Sequence, residues 1–182
     1  VRSRGLGDVY KRQDNPFHVA EDETLSELAE SIKEFGIVTP IITRPKEDGD
    51  GYEVIAGQRR VRASELAGIN TVPAFVLPLD RDRALITLVD SNLQRENILP
   101  SERAFAYKMK SEAMKRQGFR TDLTSSQVVT KLRTDDKVAQ GFGVGRMTVQ
   151  RFIRLTELIP PILQMVDEGK IALTPAVELS FL

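Results

Sequence analysis

Residues 52–67 read YEVIAGQRRVRASELA, and the rest of the chain is organised around this stretch. Tyr52–Ala56 has the β-branched and aromatic content of a short strand, and Gly57 supplies a turn. The residues that follow read as a helix whose first turn holds Arg59, Arg60 and Arg62. A helix start already carries partial positive charge and has four backbone N–H groups without intrahelical partners. Guanidinium groups there weaken the helix unless something anionic sits opposite, and a phosphate meets that demand. A solvated basic helix start is the alternative that these residues alone leave open.

At 182 residues the chain is long enough for one large domain or two small ones. Its 41% hydrophobic content, with both charge signs abundant, marks a folded protein and not a disordered one. No apolar run approaches the roughly 20 residues of a membrane span, so no membrane partner is expected. The absence of cysteine excludes disulfides, thiolate metal sites and cysteine nucleophiles. A single histidine, His18, argues against histidine metal sites and catalytic triads. The expected compartment is the cytoplasm. A formal net charge of zero hides an asymmetry. Residues 14–55 carry 11 Asp/Glu against 3 Lys/Arg, whereas residues 57–155 carry 18 Lys/Arg against 10 Asp/Glu. The basic middle suggests a polyanionic partner.

Residues 1–13 show neither helical nor strand periodicity and read as a non-native or disordered leader, so they are set aside from the fold. The other end stops inside a helix that begins near Thr174-Pro175, and a fragment at both ends is expected. Thr24 and Glu27 have the spacing of a capping box, with Leu25, Leu28, Ala29, Ile32 and Phe35 as the apolar stripe and Gly36 as the stop. Pro40 precedes the β-branched run Ile41-Ile42-Thr43, and the turn-rich Lys46–Gly51 returns the chain into Tyr52–Ala56 as a hairpin. Gly68 ends the arginine helix, and Thr71–Val76 reads as a further strand.

From Asp80 onward the pattern is helical. Asp80 caps a helix over Arg81–Val89, Pro100-Ser101 opens one running to Gln117 that Gly118 ends, and Thr124 with Gln127 forms a second capping box. Thr134 caps the next helix, and Pro160-Pro161 starts another that Gly169 ends. The fold class is α+β: a small domain over residues 14–98, then an all-α domain over 99–182, with the break near Glu96–Pro100.

Residues Asp135–Arg154 match a helix-turn-helix: small Ala139, then Gly143 four on, then β-branched Val149 six further. Ala139 lets the helices approach, Gly143 makes the tight turn and Val149 locks the second helix onto the first. Val138, Phe142, Val144, Phe152 and Ile153 supply surrounding apolar contacts, which leaves Arg146, Thr148, Gln150, Arg151 and Arg154 outward with no acid among them. In such motifs the second helix enters the major groove of double-stranded DNA. Arg146 and Gln150 suit base edges, since Arg pairs with guanine and Gln with adenine, while Arg151 and Arg154 suit phosphates. An ordinary helical hairpin with a basic face is the alternative.

Three blocks in fixed order carry a family resemblance: LSELAESIKEFGIVTPIITR at 25–44, GQRRVRA at 57–63, and SNLQRE at 91–96, followed by LPSERAFAY and the helix-turn-helix. Together they resemble the ParB-like chromosome and plasmid partition proteins, including the nucleoid-occlusion relatives, over about residues 14–182. The plasmid or conjugative-element type is the nearest in flavour. The resemblance implies an N-terminal domain of ParB/sulfiredoxin-like fold that binds CTP with Mg2+, and a helix-turn-helix that binds a centromere-like site. It also implies a homodimeric clamp that slides on DNA, a Walker-type ATPase as partner, a place on the nucleoid, and a C-terminal dimerisation domain absent from this sequence.

By the same resemblance Gly36, Ile37, Pro40 and Arg44 fall in the cytidine-recognition segment. Gly57, Gln58, Arg59, Arg60, Arg62 and Ala63 fall in the triphosphate block. Asn92 is the metal ligand and Arg95 a further phosphate partner. Two positions depart from the family: Gln58 stands where a Glu is usual in the phosphate block, and Ser91 where a Glu usually precedes the Asn. Both lost carboxylates are associated with hydrolysis, and neither Gln nor Ser is a competent base at neutral pH. Asp90 would substitute only with a backbone shift. The expectation is CTP binding with weakened hydrolysis. The alternatives are a helix-turn-helix regulator that has lost nucleotide use and an enzyme proper. Sulfiredoxin chemistry is excluded because the chain has no cysteine.

Overall fold

The computed structural model describes residues 2–11, 15–17, 19, 21–47, 49–93, 97–121 and 134–182. The chain packs as two units, one running to Leu88 and the other from Val89. In the first, β1 (Arg2–Gly5), β2 (Val9–Lys11), β3 (Ile41–Pro45), β4 (Tyr52–Ala56) and β5 (Thr71–Val76) form a mixed sheet in the order β1-β5-β3-β4-β2. β3 and β4 are the antiparallel hairpin expected around Lys46–Gly51, and β3 and β5 run parallel. Ile41, Val54, Val61, Val72 and Ala74 form the core under this sheet.

In this unit one helix packs on the sheet and a second helix packs on the first. α1 (Glu23–Phe35) and α2 (Gln58–Leu66) pack through Leu25, Ala29, Ile32 and Ala63. Gly36 ends α1 at φ +72°, its N–H bonded to the Ile32 carbonyl, and Gly68 follows α2 at φ +71°.

Several sequence-based expectations need correction here. Residues set aside as a leader form β1 and β2 at the two edges of the sheet, with Arg2–Gly5 paired to Thr71–Ala74 and Val9–Lys11 to Tyr52–Val54. Edge strands of three or four residues are held by backbone pairing, which needs no apolar alternation. The cap of α1 is Asp22 and not Thr24: the Asp22 carboxylate accepts from Leu25 N at 2.9 Å, and the Thr24 hydroxyl donates to the same oxygen at 2.8 Å. Phe35, on the last residue of α1, lies past the cluster with Ala63 and is 70% exposed.

α3 (Arg81–Leu93) starts where Asp80 accepts from Arg83 N, but it runs four residues beyond Val89 and contains the boundary between the units. The second unit continues with α4 (Pro100–Thr121), α5 (Thr134–Gly141), α6 (Arg146–Arg154), α7 (Pro160–Asp167) and α8 (Leu173–Leu179). α4 passes through Gly118, since one glycine weakens a helix by only about 1 kcal/mol and does not by itself stop it. α4 is the central element, packing on α5, α6 and α7. Gly169 follows α7 at φ +73°, as expected. His18, Arg95 and the capping box at Thr124–Gln127 lie outside the described residues.

Candidate anion site and nucleic-acid interface

The turn between β4 and α2 is set by Gly57 on two counts. Its φ is +100°, and a Cβ there would sit 2.7 Å from the Ile41 side chain on β3. The close approach of β3 to the start of α2 brings the segment ending at Pro40 against the arginines. As the N-cap of α2, Gly57 offers no side chain to the first-turn amides.

All three arginines have partners inside the chain. Arg59 donates to Asp22 Oδ1 at 3.0 Å and to the Thr24 hydroxyl at 2.6 Å. Arg62 pairs with Glu21 and, at 3.1 Å, with Glu65. Arg60 instead donates to two backbone carbonyls, those of Thr39 and, at 2.7 Å, Pro40. Burial lowers the Arg60 pKa, and among the described residues no carboxylate lies within ion-pair distance of it. Arg60 is therefore the least compensated of the three cations. The Arg59 hydrogen bond, helped by Thr24, holds Asp22 down from 3.8 to about 2. The Asp22 contribution is thus present above about pH 4 and lost as pH falls through about 2.

Gln58 is tied to Asn15, whose Nδ2 donates to Gln58 Oε1 while Asn15 Oδ1 accepts from Phe17 N at 3.2 Å. The Gln58 Nε2 atom is buried and has no hydrogen-bond partner. Reversing the amide would set two NH2 groups face to face, so the Asn15 contact fixes this orientation. Ala63 is fully buried, and Gly36 is exposed beside Ile37. A cavity of about 600 Å3 lined by Arg4, Asp50, Tyr52 and Phe75 shares no lining residue with this cluster.

The structure brings Thr39, Pro40, Gly57, Gln58, Arg59, Arg60 and Arg62 into one neighbourhood. Arg44 has another setting. It is buried opposite Glu53, with Nε 2.6 Å from that carboxylate and Nη1 2.7 Å from Glu47. Burial pulls its pKa down, but the two carboxylates outweigh that and leave it raised. Ser91 and Asn92 lie in the last turn of α3, within the second unit. Asp90 beside them is the partner of buried Lys110, whose ammonium also sits 4.2 Å from the Phe142 ring, so this carboxylate is already committed. Among the described residues no group of three or more His, Asp or Glu is placed to hold a metal.

The helix-turn-helix geometry follows the sequence pattern. Ala139 is 4% exposed, Gly143 has φ +64°, and Val149 is fully buried against Val138. Tyr107 of α4 completes this core, its ring 5.6 Å from Phe142 and 5.9 Å from Phe152. Arg146, Thr148, Gln150 and Arg151 all reach the surface of α6, with Met147 exposed between them. None of these α6 residues is acidic, but two acids of α5 reach them. Asp135 of α5 accepts from Gln150 Nε2 at 3.2 Å, and Asp136 lies 3.9 Å from Arg146 Nε. Arg151 donates to the Thr174 hydroxyl. Arg154 donates to Ser180 O at 2.8 Å and stacks 4.0 Å from the Phe181 ring, so the chain after α8 claims part of it.

Sequence reasoning missed Glu21, Asp22, Asn15, Tyr107, Asp135 and Asp136. Only Asp22 left a signal, as a preferred N-cap residue directly before Glu23.

The two units define a class: a small α+β domain with arginines at one helix start, joined to a helical unit built on a helix-turn-helix. Comparison with known proteins gives that class a family. Residues 5–93 match the ParB N-terminal domain. The probable chromosome 1-partitioning protein ParB of Deinococcus radiodurans is 39% identical over 161 residues, covering 88% of this chain and 49% of the relative. The nucleoid occlusion protein of Halalkalibacterium halodurans is 32% identical over 173 residues, covering 94% of this chain and 54% of the relative. Among solved structures, the C-terminally truncated ParB of Caulobacter crescentus complexed to the centromeric parS site superposes with a TM-score of 0.64 at 26% identity. It covers 99% of this chain and 84% of that one. The chain belongs to the ParB-like partition-protein family. It spans about half the length of the curated relatives it matches.

Proposed function

We propose that this chain works as a ParB-type partition protein, holding CTP with Mg2+ at the start of α2 and a centromere-like DNA duplex on α6. The observation that carries the nucleotide half is the Arg60 contact with the Thr39 and Pro40 carbonyls. It joins the segment assigned to the base and the block assigned to the phosphates into one site. The residues fit a triphosphate: a left-handed glycine at the helix start, first-turn amides without a side-chain cap, and a cation short of negative charge. The family resemblance, and not the geometry, assigns Asn92 to Mg2+ and Arg95 to a phosphate. The parS complex of the Caulobacter relative supports the DNA half. A homodimeric clamp, nucleoid association and a Walker-type ATPase partner belong to the same proposal.

In this reading the site holds the nucleotide more readily than it cleaves it. Gln58 accepts from Asn15 and has no basic oxygen to spare, and Asp90 is committed to Lys110. Phosphate release measured with CTP, Mg2+ and parS duplex is expected to stay below multiple turnover. Several turnovers per chain would show that a working base is present.

The pairing of Arg59 with Asp22 makes that carboxylate a competitor of the phosphates. Asp22→Asn keeps a good helix cap but removes the charge. It is expected to tighten CTP binding about two- to fivefold, the scale of one surface ion pair. Weaker binding in a titration of this variant would place Asp22 on the ligand's side of the balance.

One observation favours a second reading, a regulator without nucleotide. Glu21, Asp22 and Glu65 already satisfy two of the three arginines. Cross-linking of first units that depends on CTP separates the two readings.

A further inference from the structure

We propose that Asp135 is a positioning residue for base recognition. It fixes the orientation of the Gln150 amide and, by its charge, disfavours DNA of arbitrary sequence. The inference rests on α6 being the DNA-reading helix.

Three side chains build the arrangement. Ser111 of α4, 2% exposed, donates its hydroxyl to Asp135 Oδ1 at 3.0 Å. Gln150 of α6 donates Nε2 to Asp135 Oδ2 at 3.2 Å. All three line one recess of about 290 Å3 with Lys108, Lys115 and Glu157. Asp135 is the second residue of α5, where the helix dipole favours a carboxylate. Its position is thus set from α4 and α5 independently of DNA.

A free glutamine amide can present either end to a base, and its two ends have opposite hydrogen-bonding character. An ionised carboxylate only accepts, so Asp135 admits only the NH2 end of Gln150. That leaves Oε1 and one remaining N–H outward, the acceptor-donor pair that complements adenine N6 and N7. Holding the side chain before DNA arrives also removes part of the ordering cost of binding.

The charge acts separately. Binding to arbitrary duplex draws nearly all its affinity from phosphate contacts. A carboxylate on the reading face opposes those contacts, and in a specific complex the base contact offsets the cost. Asp136, 3.9 Å from Arg146 Nε, and Glu112 and Glu157 at the recess add to this field, while Lys108, Lys115 and Arg154 around the recess oppose it.

The test is binding-site selection from a randomised duplex pool, with affinities measured on the selected duplex and on a random one. Wild type is expected to enrich a motif. Asp135→Ala should lower preference at one A·T position about five- to tenfold, within the range of one bidentate contact. It should also raise affinity for random duplex severalfold. Ser111→Ala keeps the charge, so preference should fall without that rise; this variant carries the test should Asp135→Ala not fold. In a Gln150→Ala background, Asp135→Ala should change preference at that position no further. The proposal is overturned if Asp135→Ala and Ser111→Ala keep the wild-type preference. It is also overturned if Asp135→Ala weakens specific and random binding by the same factor, the mark of a merely structural role. A wild-type selection that enriches nothing overturns the DNA-binding reading itself and this inference with it.

Discussion

Arg60→Ala is expected to lower CTP affinity about 30-fold or more, the scale of truncating one partner of a buried, hydrogen-bonded charge pair. Arg59 and Arg62 have carboxylates beside them, whereas Arg60 is half-buried against two carbonyl dipoles. Its lowered pKa follows from that burial. A phosphate beside it would supply the missing charge. The same side chain braces Thr39 and Pro40, so its loss should cost contacts to the base as well as to the phosphates. Arg60→Lys should recover only part of the loss, because an ammonium lacks the planar fork that spans two carbonyls and a phosphate. Titration of both variants checks this, and CTP binding by Arg60→Ala within about twofold of wild type would remove Arg60 from the site.

The largest expected effect on stability is at a residue that touches no ligand. Tyr107→Ala should destabilise the second unit by about 3–5 kcal/mol, as large buried aromatics do when truncated. It should also abolish DNA binding. Tyr107 is 3% exposed and packs edge-on to Phe152 on the buried side of α6, in one cluster with Val138, Ala139 and Val149. Burial raises its phenol pKa, with Arg103 opposing. Tyr107→Phe keeps the ring and should stay within about 1 kcal/mol of wild type. Urea unfolding followed by circular dichroism checks both; a loss below about 1 kcal/mol for the Ala variant would mean that α4 does not support the reading helix as described.

Much of the fold was legible because its signals are local. Gly57, Gly143 and Gly169 each sit at a positive φ where the pattern requires a turn. Alternating and β-branched runs marked β3, β4 and β5, and Ala139 with Val149 marked the helix-turn-helix core. What escaped was non-local. Asp22 beside Arg59 and Glu21 beside Arg62 lie about forty residues away in sequence, and no spacing rule connects either acid to α2. α4 hid its central role because it is buried on more than one face. Ala104 belongs to a cluster with Leu155 and Val166, and Tyr107 to the α5–α6 cluster, so no single apolar stripe results. Glu102, Lys110 and Ser111 on the same helix are also buried, which reads in sequence as a polar surface. No sequence pattern links the acids at the start of α5 to α6, and only the fold turns Asp135 towards Gln150.

The central claim is that the arginine-bearing start of α2 holds a cytidine triphosphate. Isothermal titration of the chain with CTP and Mg2+, beside ATP as the control, tests it most directly. The account predicts saturable binding of CTP near one per chain, weakened by Arg60→Ala, and no saturable binding of ATP. No heat with either nucleotide, or equal binding of both, would contradict it.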